Sequence, residues 1–140
     1  MSVARPEILL VEDNPDDVAT ATRAFQQADL ADHVVVANEC VHALAYLNNS
    51  QAPLPRVILL DLKMPAMDGR SLLQHLRASE RTRHIPVVIV STSSHPDDIA
   101  SCYRMGANSF VVKQFNGPHP GKYIVDVVRY WLTLNRSVCG

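Results

Sequence analysis

Five short apolar runs punctuate the chain, and each is followed by a segment in which apolar residues recur three and four positions apart. Ile8-Leu9-Leu10-Val11, Val34-Val35-Val36, Val57-Ile58-Leu59-Leu60, Val87-Val88-Ile89-Val90 and Phe110-Val111-Val112 are continuous rather than alternating. That is the pattern of strands covered on both faces. Between them, Val18, Ala21, Thr22, Phe25 and Ala28 predict a first helix. Asn14 serves as its N-cap and Pro15 suits its first position, while Asp16 and Asp17 stand where the helix dipole favours negative charge. Asn38 reads as the cap of a second helix with Val41, Leu44, Ala45 and Leu47 inward. Leu72, Leu73 and Leu76 mark a third helix. Pro96-Asp97-Asp98 opens a fourth with Ile99, Cys102 and Tyr103 inward, closed by Gly106. A last helix is expected from about Lys122 to Asn135. Strands alternating with helices predict an α/β domain built on a parallel sheet, occupying 1–140 with a short tail at 136–140.

Composition narrows the classes. The chain has 140 residues, enough for one core without metal or disulfide staples. A hydrophobic share of 47%, a charged share of 19% and a formal net charge of -1 argue against nucleic acid as a partner. The apolar runs are too short to span a membrane, and Met1-Ser2-Val3-Ala4-Arg5-Pro6 has no signal-peptide core, so a cytoplasmic location is expected. Cys40, Cys102 and Cys139 fit neither a disulfide framework nor a zinc site. His33, His42, His75, His84, His95 and His119 lack ligand spacing and read as surface residues.

The chemistry lies at the strand ends. The first strand ends in Glu12-Asp13, the third in Asp61, the fourth in Ser91 and the fifth in Lys113. In an open parallel sheet, ligands bind at the carboxyl ends of the strands. Three carboxylates gathered there repel one another unless a cation sits among them, and hard oxygen ligands select magnesium or manganese. A carboxylate can itself attack phosphorus, while metal, ammonium and hydroxyl groups neutralise the transferring oxygens. Asp61 is the best-placed nucleophile.

With Glu12-Asp13 after the first strand, Asp61-Leu62-Lys63-Met64-Pro65 and Asp68-Gly69 after the third, Ser91 after the fourth and Lys113 after the fifth, the chain resembles the receiver domain of two-component response regulators. The resemblance covers almost the whole chain. It implies a flavodoxin-like (βα)5 fold with strand order 2-1-3-4-5. Val11-Glu12-Asp13-Asn14-Pro15-Asp16-Asp17 and Tyr130-Trp131-Leu132 resemble the stand-alone receivers that partner phytochrome-type histidine kinases.

Carried over by residue, the resemblance implies that Asp61 accepts a phosphoryl group from a sensor histidine kinase. It implies Mg2+ or Mn2+ held by Glu12, Asp13, Asp61 and the backbone carbonyl of Lys63, and phosphoryl contacts from Ser91 and Lys113. Ser91 and Phe110 would form the switch. Lys63 and Ser93 would flank the water path to the acyl phosphate, and neither is a good base, so self-dephosphorylation is expected to be slow.

The chain departs from the family in one respect that bears on geometry. Gln114 stands where proline usually follows the lysine, which predicts a trans Lys113–Gln114 peptide because a non-proline cis bond costs about 2.5–4 kcal/mol. Two other readings compete with a phosphoacceptor. An aspartate-nucleophile phosphatase would carry a second Asp as general acid where this chain has Lys63. A pseudo-receiver would bind partners without phosphorylation, but the acids and the lysine are intact. Too few residues follow the last helix for a DNA-binding module, so the signal is expected to leave through contact with a downstream protein. At about 100° per residue, the apolar residues of the last helix spread over roughly 220°, more than the ≳ 100° stripe one core contact needs. Tyr123, Val127, Tyr130 and Leu134 are therefore expected at a homodimer or partner face.

Overall fold

The computed structural model describes residues 7–62, 69–114 and 117–136. Expectations that fall on Lys63, Met64, Pro65, Asp68 and Cys139 lie outside these residues. In chain order the elements are β1 (Ile8–Val11), α1 (Pro15–Gln27), β2 (Val34–Ala37), α2 (Cys40–Asn48), β3 (Val57–Asp61), α3 (Gly69–Ala78), β4 (Val87–Ser91), α4 (Pro96–Arg104), β5 (Ser109–Val112) and α5 (Lys122–Arg129). The strands pair in parallel in the order β2-β1-β3-β4-β5, as the resemblance implied.

Each central strand is buried along its whole length because its alternate residues feed two separate cores. Leu9, Val11, Ile58, Leu60, Val87 and Ile89 point to one side, where Cys40, Ala43, Leu47, Leu72, Leu73, Leu76 and Cys102 cover them from α2, α3 and α4. Ile8, Leu10, Val57, Leu59, Val88 and Val90 point to the other, against Phe25 of α1 and Ile124, Val125 and Val128 of α5. The register advances the strands so that β1 ends beside Leu60 and β4 ends beside Val112. The polar residue just beyond each apolar run thus emerges at one edge of the sheet.

Three local expectations are corrected. The second helix starts after Glu39, not Asn38, and no side chain caps it. Its buried residues are Cys40, Ala43 and Leu47, and Val41 is 61% exposed. The sheet takes the small residues 40 and 43, so the helix lies close and the stripe turns away from Val41. In α4 only Cys102 is fully buried; Tyr103 is 49% exposed and faces outward. The last helix does not stay α-helical to Asn135. It widens after Arg129 into a π-helical turn, Tyr130–Leu134, closed by the Asn135 N–H donating to the Tyr130 carbonyl at 2.8 Å. The Arg56 guanidinium, held by Glu7 at 3.0 Å, donates to the Leu132 carbonyl at 3.3 Å. It thus satisfies one of the carbonyls that a helix end exposes. The 100° count therefore loses phase beyond Arg129. Gly106 closes α4 as expected, at φ 102, where a side chain would be strained.

Candidate functional site

Glu12 leaves β1 with its N–H bonded to the Ala37 carbonyl at 3.0 Å, which fixes the backbone and directs its side chain over the sheet edge. Glu12 Oε2 accepts from the Asn14 N–H at 3.2 Å, and Asn14 Oδ1 accepts from the N–H groups of Asp16 and Asp17 at 2.9 and 3.2 Å. The same residue therefore caps α1 and ties it to the site. Asp61 is the last residue of β3 and is 8% exposed. Oxygen atoms of Glu12, Asp13 and Asp61 lie within 4.8 Å of one another.

Ser91 ends β4, fully buried, and its Oγ accepts from the Ser93 N–H at 3.1 Å. The Lys113 N–H donates to the Ser91 carbonyl at 2.7 Å, which swings the Lys113 side chain back over the edge. Its Nζ lies 2.6 Å from Glu12 Oε1, 2.7 Å from Asp17 Oδ2 and 3.8 Å from Asp61 Oδ2. The residues expected from strands 1, 3 and 5 are thus in mutual contact, and Ser91 is bonded to Lys113 through the backbone.

Gly69 completes the wall. Its N–H donates to the Leu62 carbonyl at 2.9 Å, and a Cβ built there would stand 2.4 Å from the Asp61 carbonyl oxygen. No side chain fits, which is the physical reason for glycine at this return of the chain to Asp61. The Lys113–Gln114 peptide is trans, as expected. Phe110 is half-buried and packs against the core shared by α2, α3 and α4, so it already lies on the inner side in this structure.

The electrostatics follow from burial. Desolvation raises the Glu12 carboxyl from 4.5 to about 7; the hydrogen bond from Lys113 opposes this, and the charge on Asp61 adds to it. For Lys113, burial works against the charged form, but the hydrogen bonds to Asp17 and Glu12 and the charge on Asp61 outweigh it and raise its pKa. The lysine is therefore a firm ammonium with carboxylates around it. Burial pushes the Tyr123 phenol up to about 12, and the opposing charges of Lys113 and of Asp17, Glu12 and Asp61 reach it. Tyr123 was expected on a dimer face. It is half-buried against the α1/α5 core, near the acidic site.

Three clustered carboxylates, two of them buried and one half-buried, with hard oxygen donors and no sulfur or imidazole, fit a divalent ion of the magnesium or manganese type. Some site residues were not legible as such. Asp17 reads as a helix-dipole acid, yet it is a direct partner of Lys113; its only sequence signal is its place in the first helical turn after the Glu12-Asp13 pair. Ser93 accepts from the His95 N–H at 3.2 Å and donates to Asp98 at 2.6 Å, and Asp98 pairs with Arg70 at 2.9 Å. This chain of contacts joins the Ser91 loop to the starts of α4 and α3. His95, expected to be a plain surface residue, accepts from the Asp97 N–H through Nδ1 and so caps α4.

Residues 8–120 match the sequence profile of the response regulator receiver domain. The chain belongs to that family. Among curated relatives of this receiver, the probable methanogenesis regulatory protein FilR2 of Methanothrix harundinacea is 35% identical over 93% of the chain and 86% of the relative. Response regulator Rcp1 of Synechocystis is 29% identical over 89% of the chain and 88% of the relative. Its manganese-bound crystal structure has a TM-score of 0.81 at 26% identity, covering 94% of this chain and 99% of that one. The phosphorylated cyanobacterial phytochrome response regulator RcpA has a TM-score of 0.85 at 31% identity, covering 96% and 99%. This receiver is therefore similar to phytochrome-associated response regulators in sequence and in fold. Among the described residues, no helix is long and apolar enough to cross a membrane.

Proposed function

We propose that this receiver takes a phosphoryl group on Asp61 from a phosphohistidine of a sensor histidine kinase of the phytochrome type, and signals through contact with a downstream protein. The observation that carries the reading is the convergence of Asp61 with Glu12, Asp13 and the Lys113 ammonium at one sheet edge. An Asp61 carboxylate oxygen attacks phosphorus, forming an acyl phosphate as the P–N bond to the imidazole breaks; the leaving imidazole takes a proton on the kinase side. Glu12, Asp13 and Asp61 would hold Mg2+ or Mn2+, with the Lys63 carbonyl as a further ligand. Such an ion neutralises charge on the transferring oxygens. Lys113 supplies the second positive charge and Ser91 a hydroxyl donor. The protein acts in the cytoplasm, and its only catalysis is on its own phosphorylation.

The described residues also support a homodimer. Tyr130 is 47% and Leu134 71% exposed at the C-terminal turn, while Val127 and Tyr123 are half-buried, so the face narrows to the turn itself. The Tyr130 ring packs edge-on against Trp131, with centroids 5.3 Å apart, which holds it outward.

Incubation with acetyl phosphate and Mg2+ followed by intact-mass measurement tests the central reading. Wild type gains one phosphoryl mass and Asp61→Asn gains none. Uptake by the mutant at the wild-type rate would remove Asp61 as acceptor. Light scattering at micromolar concentration tests the dimer: Leu134→Asp and Tyr130→Asp shift the mass toward monomer, and a monomeric wild type ends the idea.

A further inference from the structure

Lys113 stands closer to Asp17 than to Asp61, at 2.7 against 3.8 Å. Asp17 is not one of the acids whose oxygens gather within 4.8 Å. Of the three acids that, among the described residues, lie within 4.0 Å of the ammonium, Glu12 and Asp61 belong to the gathered set and only Asp17 stands apart. We propose that Asp17 is the positioning residue for Lys113: its carboxylate holds the ammonium on the Glu12 side of the Glu12–Asp13–Asp61 cluster, 3.8 Å from Asp61, and keeps it from closing onto the Asp61 oxygens that a divalent ion and a phosphoryl group need. This deepens the proposed function and rests on its assignment of those three acids.

The geometry suits the role. Asp17 sits in the first turn of α1, and the Asn14 side chain accepts from its backbone N–H at 3.2 Å, which anchors the backbone from which the carboxylate reaches Lys113. The Lys113 side chain is 4% exposed, so the carboxylates rather than bulk solvent are the ammonium's principal partners. An ammonium has three donors, and Glu12 and Asp17 occupy two of them. When Asp17 is neutralised, the remaining carboxylates near the ammonium are those of the cluster, and the lysine moves inward and competes with the ion for the same oxygens. With Asp17 present, an incoming dication repels the ammonium toward a carboxylate already in contact with it.

The test is Mn2+ binding by isothermal titration calorimetry on the full chain, with acetyl phosphate uptake measured in parallel. Asp17→Asn weakens Mn2+ by about tenfold and slows uptake, whereas Asp17→Glu, which keeps the charge within reach, stays within about threefold of wild type. Asp16→Asn removes an equal charge one residue away, at an exposed position, and changes affinity by less than about twofold because solvent screens it. In a Lys113→Met background, Asp17→Asn falls to that same small effect. Circular dichroism confirms that the variants fold, and a misfolded Asp17→Asn leaves the comparison of Asp17→Glu with Asp17→Ser to decide. The proposal is overturned if Asp17 variants match Asp16→Asn, or if Asp17→Asn costs as much without Lys113 as with it. A wild type that binds Mn2+ and takes up phosphate, with Asp17 variants that do both equally well, sinks this inference alone. A wild type that does neither sinks the function it rests on.

Discussion

Two cations are enclosed at opposite ends of the sheet and are held in opposite ways. Lys113, beyond the carboxyl end of β5, is surrounded by charges: Glu12, Asp17 and Asp61. Arg77, in the last turn of α3, is surrounded by dipoles. Its Nε donates to the Gly106 carbonyl at 3.0 Å, one terminal nitrogen to the carbonyls of Arg83 and Ile85 at 3.2 and 2.9 Å, and the other to Asn108 Oδ1 at 2.8 Å. Asn108 Oδ1 also accepts from the Val87 N–H, so the arginine ties α3 to the segments that enter β4 and β5. Burial lowers the Arg77 pKa, whereas the acids around Lys113 outweigh its burial and raise that of the lysine.

A cation held by neutral carbonyls through several directional bonds acts as a rivet, and Arg77 has four such bonds. A cation shared among carboxylates can be redistributed when another charge enters. The rivet sits at the amino ends of β4 and β5, and Lys113 at the end where phosphorus chemistry is proposed.

The largest expected effect breaks the functional side of this contrast. Lys113→Met lowers phosphoryl uptake from acetyl phosphate by about a hundredfold, because a preorganised charge aimed at the transferring oxygens is lost. Quench-flow or mass-resolved time courses read the rate; a loss under about threefold would remove the lysine from transfer. The matching substitution at the other end, Arg77→Ala, costs about 1–2 kcal/mol in urea unfolding, since the part-buried carbonyls of Gly106 and Ile85 lose their donors. It leaves uptake per folded molecule unchanged. If uptake falls with stability intact, the rivet description is wrong.

A smaller, signed effect sharpens the electrostatic account. The Glu12 carboxyl is raised from 4.5 to about 7 by burial, so between these values the folded state holds a proton that the unfolded state has lost. Stability of the metal-free protein therefore falls as pH rises through that window, and divalent-ion affinity rises as Glu12 becomes a carboxylate. Urea midpoints from pH 5 to pH 8 check the first, calorimetric titration of Mn2+ the second. Glu12→Gln flattens both, and a wild-type profile as flat as that of the mutant would contradict the shift. At the small end, Lys122→Ala breaks the exposed pair with Asp126 at 2.8 Å and changes stability by less than about 0.5 kcal/mol. Chemical denaturation would detect a larger value, which would mean that the α5 start carries more than a surface pair.

What could be read from the sequence follows from one regularity. A continuous apolar run must be a buried strand, and the first polar residue after it must emerge at the sheet edge. That logic alone delivers Glu12, Asp13, Asp61, Ser91 and Lys113 to one side of the molecule, because every strand runs the same way. What only the tertiary structure decided depends on meetings between distant residues and on helix phase. Lys113 and Asp17 are 96 positions apart, and nothing local distinguishes Asp17 from an acid that merely favours a helix start. The inward stripe of α2 turns on which residues are small enough to approach the sheet, so Cys40 lies inward while Val41, which periodicity placed inward, faces out. The α5 pattern continues smoothly past Arg129, yet the backbone widens there, where Arg56 from before β3 reaches the Leu132 carbonyl. Arg77 looks like a surface cation at a helix end until the α3–β4 and α4–β5 loops converge on it. In each case the deciding energy is a contact or a desolvation that does not exist until the chain has packed.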